Sequence, residues 1–160
     1  MDQKAQQIVD NYLESVRQLF ADVESWLQGT RLSVVRDKTD ITEGRSGTYP
    51  APYLRLNDEK GRHVAAVRPK GAWIIAAKGR VDVEGRWDTQ SIVYLEGPGP
   101  QVAARLDENG DLIETSVTPI FRNVKESGWY WIEDKLLGRA HGMDKDLFLD
   151  LVRVVSDYAE

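Results

Sequence analysis

The 160-residue chain contains no cysteine. Disulfides, zinc-thiolate sites, iron-sulfur clusters and thiol nucleophiles are thereby excluded, and a reducing compartment is compatible with the composition. Histidine is nearly as scarce, with only His63 and His141. A metal site needs more ligands at fitting spacing, and His141-Gly142-Met143-Asp144 offers one histidine beside an aspartate suited to helix capping. No run approaches the roughly 18 consecutive apolar residues of a membrane span, and Met1-Asp2-Gln3-Lys4-Ala5-Gln6-Gln7 has no apolar signal core. The expectation is a soluble, unexported, cytoplasmic protein without membrane association.

Catalytic signatures are missing as well. The sequence has no nucleotide-binding glycine fingerprint, no Gly-x-Ser-x-Gly elbow and no His-Glu-x-x-His. Asp107-Glu108-Asn109-Gly110-Asp111 has the acidity of a calcium loop, but its glycine and the later Glu114 are misplaced for one, so it reads as a hairpin turn. Gly97-Pro98-Gly99-Pro100 is rich in glycine, yet each proline removes an amide that a phosphate cradle uses; it reads as a stiff connector. No cofactor and no metal is expected.

What is present is the composition of an ordinary folded domain: 41% hydrophobic residues, five tryptophans and a net charge of −5. That length suffices for one core that removes roughly two thirds of the unfolded surface from water. Charge is unevenly placed. Residues 60–90 hold Lys60, Arg62, Arg68, Lys70, Lys78, Arg80 and Arg86 against Asp82, Glu84 and Asp88, whereas residues 107–160 hold six basic and twelve acidic side chains. A basic middle before an acidic end reads either as intramolecular complementarity or as a binding face.

Ile8, Tyr12, Val16, Leu19, Phe20, Val23, Trp26 and Leu27 recur at helical spacing, and Gly29 follows them as a stop, which predicts a helix over about residues 3–28. A second helix opens at Asp144, with Met143 and Phe148 at staple positions, and runs to within a few residues of Glu160. Between the helices the period is that of strands: 32–36, 40–43, 53–56, 63–68, 73–77, 80–84, 91–95, 101–106, 112–117 and 129–132. Short connections make neighbours antiparallel, with hairpin turns at Asp58-Glu59-Lys60-Gly61 and Glu108-Asn109-Gly110-Asp111. The doubly apolar Trp73-Ile74-Ile75-Ala76-Ala77 reads as central, and the prolines at 50, 52, 69, 98, 100 and 119 as boundary markers. The expectation is a single α+β domain over residues 1–160: an N-terminal helix, an antiparallel meander of about seven to ten short strands that can curl toward a half-barrel, and a C-terminal helix on the sheet.

Two groups of residues are candidates for function. Arg68, Lys70, Lys78 and Arg80 bracket the apolar 73–77 run, so a hairpin around Gly71 brings them to one end of the sheet, where they grip an anion or serve as solvated strand-end charges. Trp129 and Trp131 share one strand face with Glu133, as a stacking platform or as core beneath a helix. His141, in the segment before the second helix, pairs with Glu133 or Asp134 for acid-base work or is a plain loop residue.

The first functional expectation is a small binding protein without catalytic chemistry. It presents a sheet face, an edge or its acidic C-terminal region to a macromolecular partner, a protein among the candidates, in a role such as an inhibitor or immunity protein. The alternative is a small-molecule-binding protein or enzyme with a pocket between the curled sheet and the helices, using Arg68, Arg80, Tyr94, Trp131 or His141. Single-stranded nucleic-acid binding ranks below both, given the acidic balance.

Overall fold

The computed structural model describes residues 2–74, 76–97, 101–102, 105–106, 108–110, 112–114, 118–119, 121–134 and 138–159. In chain order the elements are α1 (Gln3–Leu27), β1 (Ser33–Glu43), β2 (Gly47–Asn57), β3 (His63–Gly71), β4 (Gly79–Gly85), β5 (Thr89–Leu95), β6 (Gln101–Val102), β7 (Arg105–Leu106), β8 (Leu112–Glu114), β9 (Thr118–Pro119), β10 (Gly128–Asp134), β11 (Arg139–Gly142) and α2 (Lys145–Val155). Seven strands form one unclosed antiparallel sheet, β1-β2-β3-β4-β5-β10-β11, and both helices pack on it, which makes the fold α+β. The excursion between β5 and β10 carries two separate short ladders, β6 with β9 and β7 with β8. Among the described residues no helix is long and apolar enough to cross a membrane.

Both helices begin on an aspartate. The Asp2 carboxylate accepts the Ala5 amide at 2.7 Å, and the Asp144 carboxylate accepts the Leu147 amide at 2.8 Å, so each satisfies a first-turn donor that has no partner within the helix. Gly29, at φ 81°, takes the left-handed turn after α1 that a side chain resists. α2 stops at Val155; the Ser156 hydroxyl donates back to Val152 O at 2.6 Å, and Tyr158 lies beyond the helix.

Val9, Val16, Phe20 and Val23 of α1 and Phe148, Val152 and Val155 of α2 bury against Leu54, Leu56, Ala65, Val67, Val81, Val83 and Ile92 of the sheet. Strand alternation puts these sheet residues on one face, and each fully buried aliphatic or phenyl side chain contributes about 1.5–3 kcal/mol. The approach is close: a Cβ at Gly79 would overlap the Tyr12 ring, and one at Gly85 the Val155 carbonyl. On the opposite face a smaller core joins Leu95, Tyr130 and Ala140 to Val124 of the excursion.

Several expectations are corrected. The expected strands 32–36 and 40–43 are one strand, β1, which starts at Ser33 and is paired along its whole length with β2. Residues 73–77 are not a central strand but part of the β3–β4 connection, closed by an Ile74–Ala77 bridge and with Ala76 at φ 65°; Ile75 lies outside the described residues. Pro50, Pro52 and Pro69 lie inside strands. Pro50 and Pro52 are tolerated because the β2–β3 ladder covers only Leu54–Asn57 of β2, so they sit where β2 pairs with β1 alone and their missing donors can face away from it. Residues 139–142 are a strand and not a loop. Of the expected 101–106 and 112–117 strands, residues 103–104 and 115–117 lie outside the described residues, as do 98–100 of the connector and Asp107 and Asp111 of the expected turn.

Candidate functional site

Arg68, Lys70 and Arg80 share the sheet face opposite the helices. They do reach one end of the sheet, although the chain reverses through residues 72–78 and not around Gly71. Their charge is already answered. Arg68 and Lys70 meet the Glu84 carboxylate at 3.7 and 2.9 Å, and Arg68 also lies 4.2 Å over the Tyr53 ring. Arg80 binds Asp82 through two nitrogens at 2.7 and 2.8 Å. Asp82 is only 2% exposed and accepts the Ser91 hydroxyl as well. The Asp82 carboxylate holds the Arg80 guanidinium more firmly in its charged form than usual. With two carboxylates seated among three cations, this cluster is an internal ion-pair network, a poor cradle for a further anion. Lys78 stands apart, exposed on the β3–β4 connection, with its amide bound to Tyr94 O at 2.8 Å.

Trp129, Trp131 and His141 occupy the helix-bearing face. Trp129 is core: 9% exposed, edge-on to Tyr94, with its indole nitrogen donating to Ser15 O of α1 at 3.0 Å. Trp131 is half-buried and donates to the Gln90 side chain at 3.0 Å. His141 sits opposite Trp131 in the β10–β11 ladder, ring centroids 5.9 Å apart, and its Nε2 lies 3.7 Å from a Glu133 oxygen. The histidine and glutamate therefore meet, and the same oxygen also faces Arg139 at 3.4 Å. Among the described residues no three metal-ligating side chains come together. The candidates from the sequence are thus dispersed over two faces.

A second buried polar cluster joins α1 to the sheet. The Glu43 carboxylate accepts the Ala72 and Trp73 amides at 3.1 and 3.0 Å and the Tyr49 hydroxyl, while the Tyr12 hydroxyl accepts from Gly71 N at 3.2 Å and donates to Arg80 O at 2.6 Å. Burial pushes both tyrosine hydroxyls well above their ordinary range, and at Tyr49 the neighbouring carboxylate adds to the effect. These bonds satisfy the backbone of the β3–β4 connection, which has no ladder of its own there. Beside it, Arg45 stacks 4.5 Å over Trp73 at the mouth of a cleft of about 870 Å³ under the first turns of α1.

A different aromatic is open to solvent. Trp87, in the β4–β5 turn, is 64% exposed, with the Arg86 guanidinium 5.0 Å over its ring. The turn is held rigidly: the Trp87 and Asp88 amides both donate to Val155 O, at 2.8 and 3.3 Å, and Gly85 N donates to Asp88 O at 3.0 Å. Beside it lies a cleft of about 890 Å³ between the β2–β3 turn and the residues after α2, with Lys60, His63, Arg86 and Asp157 on its walls. Asp58 and Glu59, also on the walls, are paired with Arg62 at 3.1 Å and Arg31 at 3.2 Å. Among the described residues neither Lys60 nor Arg86 forms an ion pair. Reading the sequence passed over Trp87. The available signal was an indole in Gly85-Arg86-Trp87-Asp88, at a turn position where small polar residues are the rule.

Compared with protein-family models, with curated proteins and with solved structures, the chain matches none.

Proposed function

We propose that the chain is a binding protein without catalytic chemistry, of the cytoplasm, that engages a protein partner through the Arg86–Trp87 turn and the adjoining cleft. The observation that carries this reading is the exposed Trp87 on a backbone pinned to the end of α2. An indole left in water forgoes its burial, and tryptophan and arginine are among the residue types most enriched at the hot spots of protein interfaces. Holding it in place before contact removes part of the ordering cost of association.

The competing reading, a pocket between sheet and helices, is disfavoured by the interface itself. Val16, Phe20, Leu54, Val67, Val81, Phe148 and Val152 are completely buried there, and the cleft that does open between α1 and β10, lined by Leu19, Trp26, Tyr94 and Trp129, is small, about 290 Å³. The uneven charge also favours an outward role: among the described residues no ion pair links a basic residue of 60–90 to an acidic one of 107–160.

The test is affinity capture from extracts of the source cells with the wild-type chain and Trp87→Ala in parallel. The expected result is a partner retained in constant proportion by the wild type and lost by the variant. Saturable binding of a metabolite, with no partner captured, would overturn the reading.

A further inference from the structure

The cleft beside Trp87 is charged in a way that selects its occupant. Two of its acidic side chains, Asp58 and Glu59, are taken up by Arg62 and Arg31. Lys60 and Arg86 remain without a carboxylate among the described residues, with Asp157 as the opposing acid. The Arg86 guanidinium, stacked on the Trp87 ring, keeps its planar edge of donors open for a two-point contact.

We infer that the occupant is an acidic, extended segment of a partner protein, its carboxylates over Lys60 and Arg86 and an adjacent apolar side chain against Trp87. This rests on the reading of the Arg86–Trp87 turn as the binding surface and adds the chemistry of what binds there. A nucleic acid suits the cleft less well. The chain carries a net charge of −5, which disfavours a long phosphate backbone. Its affinity derives from neutralising many phosphates at once, which two uncompensated cations do not do. A segment with few carboxylates and an apolar residue needs only those two cations and the indole.

The test is titration of the full chain with short synthetic peptides in which aspartates and glutamates flank a phenylalanine. The comparators are the same peptides with the acids replaced by their amides and a single-stranded deoxyoligonucleotide of similar length. The expected result is binding of the acidic peptide about tenfold or more tighter than the amide form, weakened by salt, and reduced by about tenfold or more in Arg86→Ala and Trp87→Ala. Both side chains project from a turn, so the variants should unfold at the wild-type temperature, and that measurement confirms that lost binding is not lost folding. Equal binding of acidic and amide peptides, or tighter binding of the oligonucleotide, would overturn the inference. If no peptide binds while Trp87→Ala still abolishes partner capture, the acidic-segment inference fails and the surface reading survives. If Trp87→Ala leaves capture intact, both fail.

Discussion

Trp87 and Val155 are joined through their backbones: the Trp87 amide donates to the Val155 carbonyl at 2.8 Å, so the last residue of α2 fixes the turn that carries the chain's most exposed large aromatic. The carbonyl is one of those left without a partner at a helix C-terminus, and the β4–β5 turn supplies its donor. Helix end and presented indole are thus one structural unit.

Trp87 and Trp129 should separate cleanly in their effects. Trp129→Ala empties a packed core position and is expected to cost about 3–5 kcal/mol, whereas Trp87→Ala should change stability by no more than about 0.5 kcal/mol. Urea unfolding of the two variants checks this. Equal destabilisation would mean that Trp87 is a packing residue.

Gly85→Ala should loosen the same unit from its other side. The added Cβ overlaps the Val155 carbonyl, so strand and helix must part. We expect a loss of about 1–3 kcal/mol together with weakened partner binding, measured by thermal unfolding and by capture. A variant as stable as the wild type would show that the helix end is not seated on β4.

Glu43→Ala should free the β3–β4 connection. It leaves the Ala72 and Trp73 amides without their acceptor, at an expected cost of about 1.5–3 kcal/mol for each bond that water does not replace. Amide exchange at these two positions should accelerate before exchange in the β4–β5 ladder. Unchanged exchange would place the anchor of the connection elsewhere.

Alkaline stability follows from Tyr12 and Tyr49. Unfolded, each titrates near its ordinary value of 10.0; folded, each holds its proton to higher pH because it is buried. Below pH 10 both states keep the protons and the contribution is complete. Above it the unfolded chain loses protons that the folded chain retains, so stability falls with rising pH by up to about 1.4 kcal/mol per pH unit for each tyrosine. Tyr12→Phe with Tyr49→Phe should be less stable at neutral pH but lose stability less steeply above pH 10. Parallel slopes would contradict the buried, protonated state of these hydroxyls.

Much of the fold was legible because local signals agreed with it. Asp2 was not singled out, yet the 3–28 period was enough for α1, and Asp144 with Met143 marked the start of α2. The Asp58–Gly61 turn was legible from its turn residues and is closed by Gly61 N to Asp58 O at 3.0 Å. The 73–77 run misled because an apolar stretch does not distinguish a buried strand from a buried connection; here Glu43, 30 positions away from Trp73 in sequence, decides it. Residues 139–142 are too short to alternate visibly, and only pairing with β10 makes them a strand. The candidate site was less legible still. Trp129 and Trp131 drew attention as neighbours, but α1 and Gln90 cover them, whereas Trp87 is open because of where its turn is held. Exposure is a property of tertiary packing that residue spacing does not encode.

The most direct test is hydrogen-deuterium exchange of the chain alone and with its captured partner bound. The account predicts protection concentrated at residues 58–63 and 85–88, the two turns that frame the cleft and carry Lys60, Arg86 and Trp87. Protection confined to β1 or to the outer side of α2, with both turns exchanging as in the free chain, would contradict it.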